Sequence, residues 1–154
     1  MSSATVTPVD AGPLAVARQV FVAAPASAIF ALVADPRRHG ELDGSGTVRD
    51  TVSAPERLEV GSQFSVAMKQ YGLPYSITST VTAYDPDRRI EWRHPLGHRW
   101  RWELTPQEGG STLVTETFDY SRARSPQGLE LFRFPSKNGA GITATLEALA
   151  ARFA

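Results

Sequence analysis

The chain contains no cysteine. Disulfides, thiolate nucleophiles and cysteine-ligated zinc are therefore excluded. Histidine occurs only three times, and no third His or carboxylate stands at a spacing that would complete a metal site with His94 and His98. No metal is expected. Charge of one sign is not in excess either: sixteen Lys+Arg balance sixteen Asp+Glu. Net charge draws neither nucleic acid nor an anionic membrane to such a chain, although a local patch stays open. No apolar run is long enough to span a bilayer, so no integral membrane segment is expected. No Gly-rich loop follows a strand and opens a helix, and no serine stands in a nucleophile elbow. Nucleotide binding and serine-hydrolase chemistry are disfavoured, and nothing calls for a cofactor. The opening MSSATVTPVDAGP lacks a basic segment followed by an apolar core. A secretory signal is not expected, and the cytoplasm is the default compartment.

What the chain does have is a patterned hairpin. Its 154 residues suit one domain with a real core. Residues 87–105, DRRIEWRHPLGHRWRWELT, alternate polar and apolar on both sides of a Pro-Leu-Gly connection. Folding at residues 95–97 sets His94 opposite His98, Trp92 opposite Trp100 and Ile90 opposite Trp102. The other face pairs Arg89 with Glu103, Glu91 with Arg101 and Arg93 with Arg99. This is a period-two hairpin with one wet face. All three tryptophans of the protein lie on the inner face. They require a cover: a helix, a second sheet face or a ligand.

Around this hairpin the rest of the chain falls into place. Residues 1–13 read as a flexible lead-in and residues 14–154 as one domain. Residues 14–23 are a strand with apolar residues on both faces. Pro25 opens a helix over 26–34 with Ile29, Phe30 and Val33 as its buried stripe. Asp35-Pro36 starts a second short helix, 36–41. Strands follow at 47–53, 63–70, 75–84 and, after the hairpin, 111–120. In the 75–84 strand, Ile77, Ser79, Val81 and Ala83 share one face and Tyr84 the other. Parity does not decide which face of the 111–120 strand is inside. From Ser125 the period turns helical, with Leu129 and then Ile142, Leu146, Leu149 and Phe153 recurring. Pro135 near Gly139 and Gly141 argues for a break or kink. The order is strand, two short helices, about six antiparallel strands and a long C-terminal helix. A sheet this large needs its apolar face covered, and one helix, about 10–12 Å wide, is narrower than the sheet. A cavity between them is the expectation.

Three stretches carry a resemblance: VFVAAPASAIFALVADPRRHGELDGSGTV at 20–48, AYDPDRRIEWRH at 83–94 and TLVTETFDYS at 112–121. With the C-terminal amphipathic segment, they resemble the START/Bet v 1-like superfamily (SRPBCC), in particular its bacterial polyketide cyclase/dehydrase and lipid-transport group. The resemblance covers nearly the whole chain. It implies an α+β helix-grip fold, a curved antiparallel sheet wrapped around a long C-terminal helix, with a central hydrophobic cavity. The segment RFPSKNGAG at 133–141 departs from the smooth helix of the plant allergen-like members. The matched motifs specify turns, caps and core positions, and fold alone does not choose a reaction.

The expected ligand contacts are Phe64, Val66, Met68, Ile77, Trp92, Trp100 and Trp102 from the sheet, with Ile142, Leu146 and Leu149 from the helix. The same side chains serve equally as core filling. Acid/base candidates are His94, Glu116 and Tyr120. The histidine pair, at a hairpin tip, is expected in water. If Glu116 is inside it needs a donor, which Arg18 or Arg101 could supply. His39, Glu41 and Asp43 form a weaker cluster at a turn, and Tyr71 is a further polar candidate. The leading expectation is binding or transport of a hydrophobic small molecule: a lipid, a polyketide or an aromatic compound. The alternatives are a cyclase/dehydratase enzyme and a homodimeric interaction or regulatory module.

Overall fold

A computed structural model describes residues 5–36, 38, 48–70, 73–131 and 133–154, with the backbone alone at 48–52, 67–70 and 74. Among these residues the strands are β1 (Thr7–Val9), β2 (Ala15–Val22), β3 (Val48–Ser53), β4 (Gln63–Gln70), β5 (Leu73–Asp85), β6 (Arg89–Arg93), β7 (Arg99–Pro106) and β8 (Thr112–Asp119). The helices are α1 (Ala26–Val33), α2 (Pro126–Leu131) and α3 (Phe134–Arg152). The eight strands form one antiparallel sheet in the order β1-β2-β8-β7-β6-β5-β4-β3. Every connection from β3 to β8 joins neighbours, and only the return of β8 to β2 is non-local.

The hairpin register is the one its alternation implies. Ile90 faces Trp102, Trp92 faces Trp100, Glu91 faces Arg101, Arg89 faces Glu103 and Arg93 faces Arg99. Turn chemistry fixes it: Gly97 takes φ +97°, and the His94 N–H donates to the His98 carbonyl (2.8 Å). On β8 the even positions are inside. Thr112, Val114, Glu116, Phe118 and Tyr120 are all buried, and Trp100 faces Phe118 while Trp102 faces Glu116 in the ladder.

Several expectations are corrected. Residues 7–9 lie within the expected lead-in yet form β1, paired to β2 with Thr7 opposite Gln19 and Val9 opposite Ala17. Backbone pairing at the sheet edge holds them despite their poor apolar pattern. Simple alternation puts Tyr84 on the face away from Val81. A bulge between Val81 and Ala83 shifts the phase by one residue, so Tyr84 turns inward and its ring meets Phe30 edge-on at 5.4 Å. Simple parity cannot register an inserted residue. Of the second short helix, Arg38 N–H donates to the Asp35 carbonyl (3.0 Å); residues 37 and 39–41 lie outside the described residues.

The C-terminal helical region is broken as the proline and glycines imply. The break falls at Arg133, whose left-handed φ of +61° separates α2 from α3. Pro135 sits in the first turn of α3, where its missing N–H leaves no helix bond unmade. α3 packs chiefly on β2 and β8, and α1 on β7. Gly139 makes the close approach: a Cβ there would lie 3.2 Å from Val16 Cγ1 and 3.4 Å from Arg18 Nη2. Ile142, Leu146 and Leu149 are fully buried in that contact. The main core joins them to Val20, Val22, Ile29, Leu32, Val33, Ile90, Val114 and Phe118.

Candidate functional site

The concave face is aromatic along β6, β7 and β8. Phe118 stands at its centre. It meets Trp100 at 5.0 Å, His98 edge-on at 5.1 Å and Tyr120 in a stack at 5.5 Å between ring centroids. Trp92 meets Phe64 edge-on at 5.6 Å. Of the three indoles only Trp102 is buried; Trp92 and Trp100 are half-buried. α3, lying over β2 and β8, does not take up the whole of this wall. The other expected contacts divide in the same way. Phe64, Val66, Ile142, Leu146 and Leu149 are buried, and Ile77 is half-buried. The Met68 side chain lies outside the described residues, as do His39, Glu41, Asp43 and Tyr71.

The polar groups on this face are few. Glu116 is buried and stands between Arg18 of β2 and Trp102 of β7 in the ladder. Arg18 is therefore the cation on the same face. Arg101, the other expected donor, points to the opposite face. Its Nε donates to Glu91 Oε2 (2.8 Å) and its Nη2 to Asp119 Oδ2 (3.1 Å). Tyr120 is buried, and its hydroxyl donates to Glu130 Oε1 (3.0 Å). Burial first, then the carboxylate of Glu130, raises the Tyr120 pKa.

The histidine pair is not free in water: His98 is buried and His94 half-buried. His94 and His98 stack with ring centroids 4.1 Å apart and planes 19° apart. His98 is only 8 % exposed, because the tip folds back under the chain after β8: Arg124 N–H donates to the Leu96 carbonyl (2.9 Å). Burial, with His94 adding to it, lowers the His98 pKa to about 3. Burial alone lowers that of His94, whose Nδ1 accepts the Leu96 N–H (3.0 Å). Both rings are neutral near pH 7. Among the described residues no group of three His, Asp or Glu side chains could hold a metal ion.

The convex face holds a site that the alternation missed. The alternation puts Glu91 on the wet face, yet it is 4 % exposed. Its Oε1 accepts from Thr82 Oγ1 (2.9 Å) and Arg99 Nη1 (3.1 Å), and its Oε2 from Arg101 Nε. Desolvation is the largest influence and raises its pKa; the bonds from Arg101 and Thr82 and the nearby guanidinium charges outweigh it, leaving the net value lowered. The sequence signal was the opposed Arg101 and neighbouring Arg99. The bulge that brings Thr82 over leaves no such signal.

A curved antiparallel sheet gripping one C-terminal helix, with an aromatic concave wall, defines the START/Bet v 1-like (SRPBCC) class of helix-grip proteins. Solved structures agree on the fold. A START superfamily protein from Mycobacterium smegmatis superposes with a TM-score of 0.68 at 18 % identity, over 90 % of this chain and 96 % of that one. The Zhui aromatase/cyclase from Streptomyces sp. R1128 gives 0.64 at 17 % identity, over 90 % and 94 %. A Rhodobacter sphaeroides protein gives 0.74 at 14 % identity, over 96 % and 97 %. Within that class, residues 13–154 match the family described as polyketide cyclase / dehydrase and lipid transport, and the chain belongs to it. It is also 56 % identical over 154 residues to an uncharacterised protein of Mycobacterium tuberculosis strain H37Rv, covering 97 % of this chain and 69 % of the relative. No helix among the described residues is long and apolar enough to cross a membrane.

Proposed function

We propose that this protein binds or carries a hydrophobic small molecule, a lipid, polyketide or aromatic compound, against the concave face of its sheet. The observation that carries the reading is the position of Trp92 and Trp100. Both are half-buried on a face where their neighbours Trp102, Phe64 and Phe118 are buried. Two large rings held at a partly uncovered wall offer much apolar area at little conformational cost. Ile77 extends the wall, with Phe64, Val66 and Trp102 behind it, and Met68 belongs to the same strand face by sequence. Each well-buried ligand fragment of side-chain size contributes about 1.5–3 kcal/mol before ordering costs. Ile142, Leu146 and Leu149 support the site from the sealed helix contact. Native mass spectrometry of the purified protein tests the proposal by its co-purifying mass. Trp100→Ala is expected to weaken retention or rebinding of that molecule about tenfold. Retention unchanged in both Trp92→Ala and Trp100→Ala would remove the indole wall as the site.

The buried carboxylate of Glu116 supports a second reading, a cyclase/dehydratase. A carboxyl group among aromatic rings, with Arg18 across the ladder, would serve as proton acceptor beside a reactive polyketide-like chain. Tyr120 would act only after giving up Glu130. In His94 and His98 neutral imidazoles are present, but His94 Nδ1 is already engaged by the Leu96 N–H. On this reading Glu116→Gln abolishes turnover of a reactive poly-β-ketone while leaving its binding in place. Turnover retained by that variant excludes the assignment.

A further inference from the structure

Three chain reversals lie at the same end of the sheet. β4 turns into β5 there, β6 turns into β7, and the chain after β8 passes through α2 and breaks at Arg133 into α3. β5 runs past the end of β6: Thr80 faces Arg93, so residues 73–79 project beyond it. The β6–β7 tip is held to the chain after β8, where Arg124 N–H meets the Leu96 carbonyl. Each reversal carries an exposed leucine. Leu73 is 70 % exposed, Leu96 50 % and Leu131, at the break before α3, 77 %.

Around them stand five exposed cations: Arg93, Arg122, Arg124, Arg133 and Lys137. None forms an ion pair with a described residue among the pairs found. Among the described residues, the acidic side chains at this end are already engaged. Asp10 accepts the Gly12 N–H, Asp119 is held by Arg101 and Ser121, and Glu130 accepts the Tyr120 hydroxyl. The whole chain has no net charge, so this asymmetry is local.

We propose that this end of the molecule docks on an anionic lipid surface. The leucines enter the boundary between headgroups and acyl chains, and the arginines and lysine meet lipid phosphates. Each leucine stands at a different reversal, so the set presents separate points instead of one shaped face. A fluid surface receives separated points; a folded protein partner needs a matched relief. The inference does not depend on the ligand reading.

Co-sedimentation of the full chain with vesicles tests it. Binding is expected to phosphatidylcholine mixed with phosphatidylglycerol, and not to phosphatidylcholine alone, with loss at high salt. Arg122→Glu with Arg124→Glu, and separately Leu96→Glu with Leu131→Glu, are each expected to weaken it about tenfold or more. Phe21 and Val60 are the exposed apolar residues at the opposite end. Phe21→Glu is expected to leave binding intact. Circular dichroism and native mass spectrometry on the same variants report fold and retained ligand separately. Failure to bind the mixed vesicles, or equal loss with Phe21→Glu, overturns the proposal whatever the ligand result. Light scattering that shows a dimer broken by the leucine variants, without vesicle binding, assigns this end to a second copy of the chain instead.

Discussion

The ring of Phe64 on β4 meets the indole of Trp92 on β6 edge-on, 5.6 Å between centroids, although β5 runs between their strands. Side chains two strands apart reach each other only when the sheet curls toward that face. The contact therefore marks the concavity on which the binding proposal rests. Phe64→Ala is expected to destabilise the fold by about 3–4 kcal/mol in urea unfolding. A double-mutant cycle with Trp92→Ala should return a coupling of about 1 kcal/mol. Strict additivity of the two losses would show that the rings do not support each other.

Glu91 ties β5, β6 and β7 together on the convex face. Replacing it by Gln leaves Arg101 with Asp119 and Arg99 without its carboxylate. A loss of about 3 kcal/mol is expected, the scale for breaking a largely buried ion pair. Its pKa is lowered in the fold from 4.5. The stabilisation is therefore complete above the unfolded value and is lost as pH falls through the folded one. In Glu91→Gln the acid-side fall in stability should be shallower than in the parent. An identical pH profile would argue against the buried network.

His98 gives a second acid-sensitive term with its own window. The folded pKa is about 3 against 6.5 unfolded. Between those values the unfolded chain binds the extra proton, so acid favours unfolding. The slope from this group approaches about 1.4 kcal/mol per pH unit and vanishes above the unfolded value. His98→Phe should flatten unfolding profiles between about pH 4 and 6. Direct titration by NMR showing an ordinary His98 would contradict the buried stack.

Gly97 closes the hairpin at φ +97°, and a Cβ there would lie 2.6 Å from the Arg122 carbonyl oxygen. That atom is backbone and cannot swing aside. Gly97→Ala is expected to cost about 1–3 kcal/mol, and to expose the histidine stack by loosening the tip from residues 122–124. Faster amide exchange at Arg124, whose N–H meets the Leu96 carbonyl, would register it. Wild-type exchange at that amide would count against the clamp.

The sequence by itself determined the hairpin, its register and the inward turn of the three tryptophans. Alternation with a period of two and a Pro-Leu-Gly reversal admit one pairing that buries the indoles, and a slip of one residue would expose them all. It also determined the break before α3, because Pro135 is compatible only with a first helical turn. Tertiary structure decided what local pattern leaves unsigned. The inner face of β8 depends on which side α3 occupies. The place of Tyr84 depends on a bulge whose extra residue has no mark in the alternation. Burial of Glu91 and His98 depends on neighbours from other strands and from the chain after β8. Local pattern records what a strand does with its own two faces; whether a polar side chain is in water is settled by what the rest of the chain brings over it.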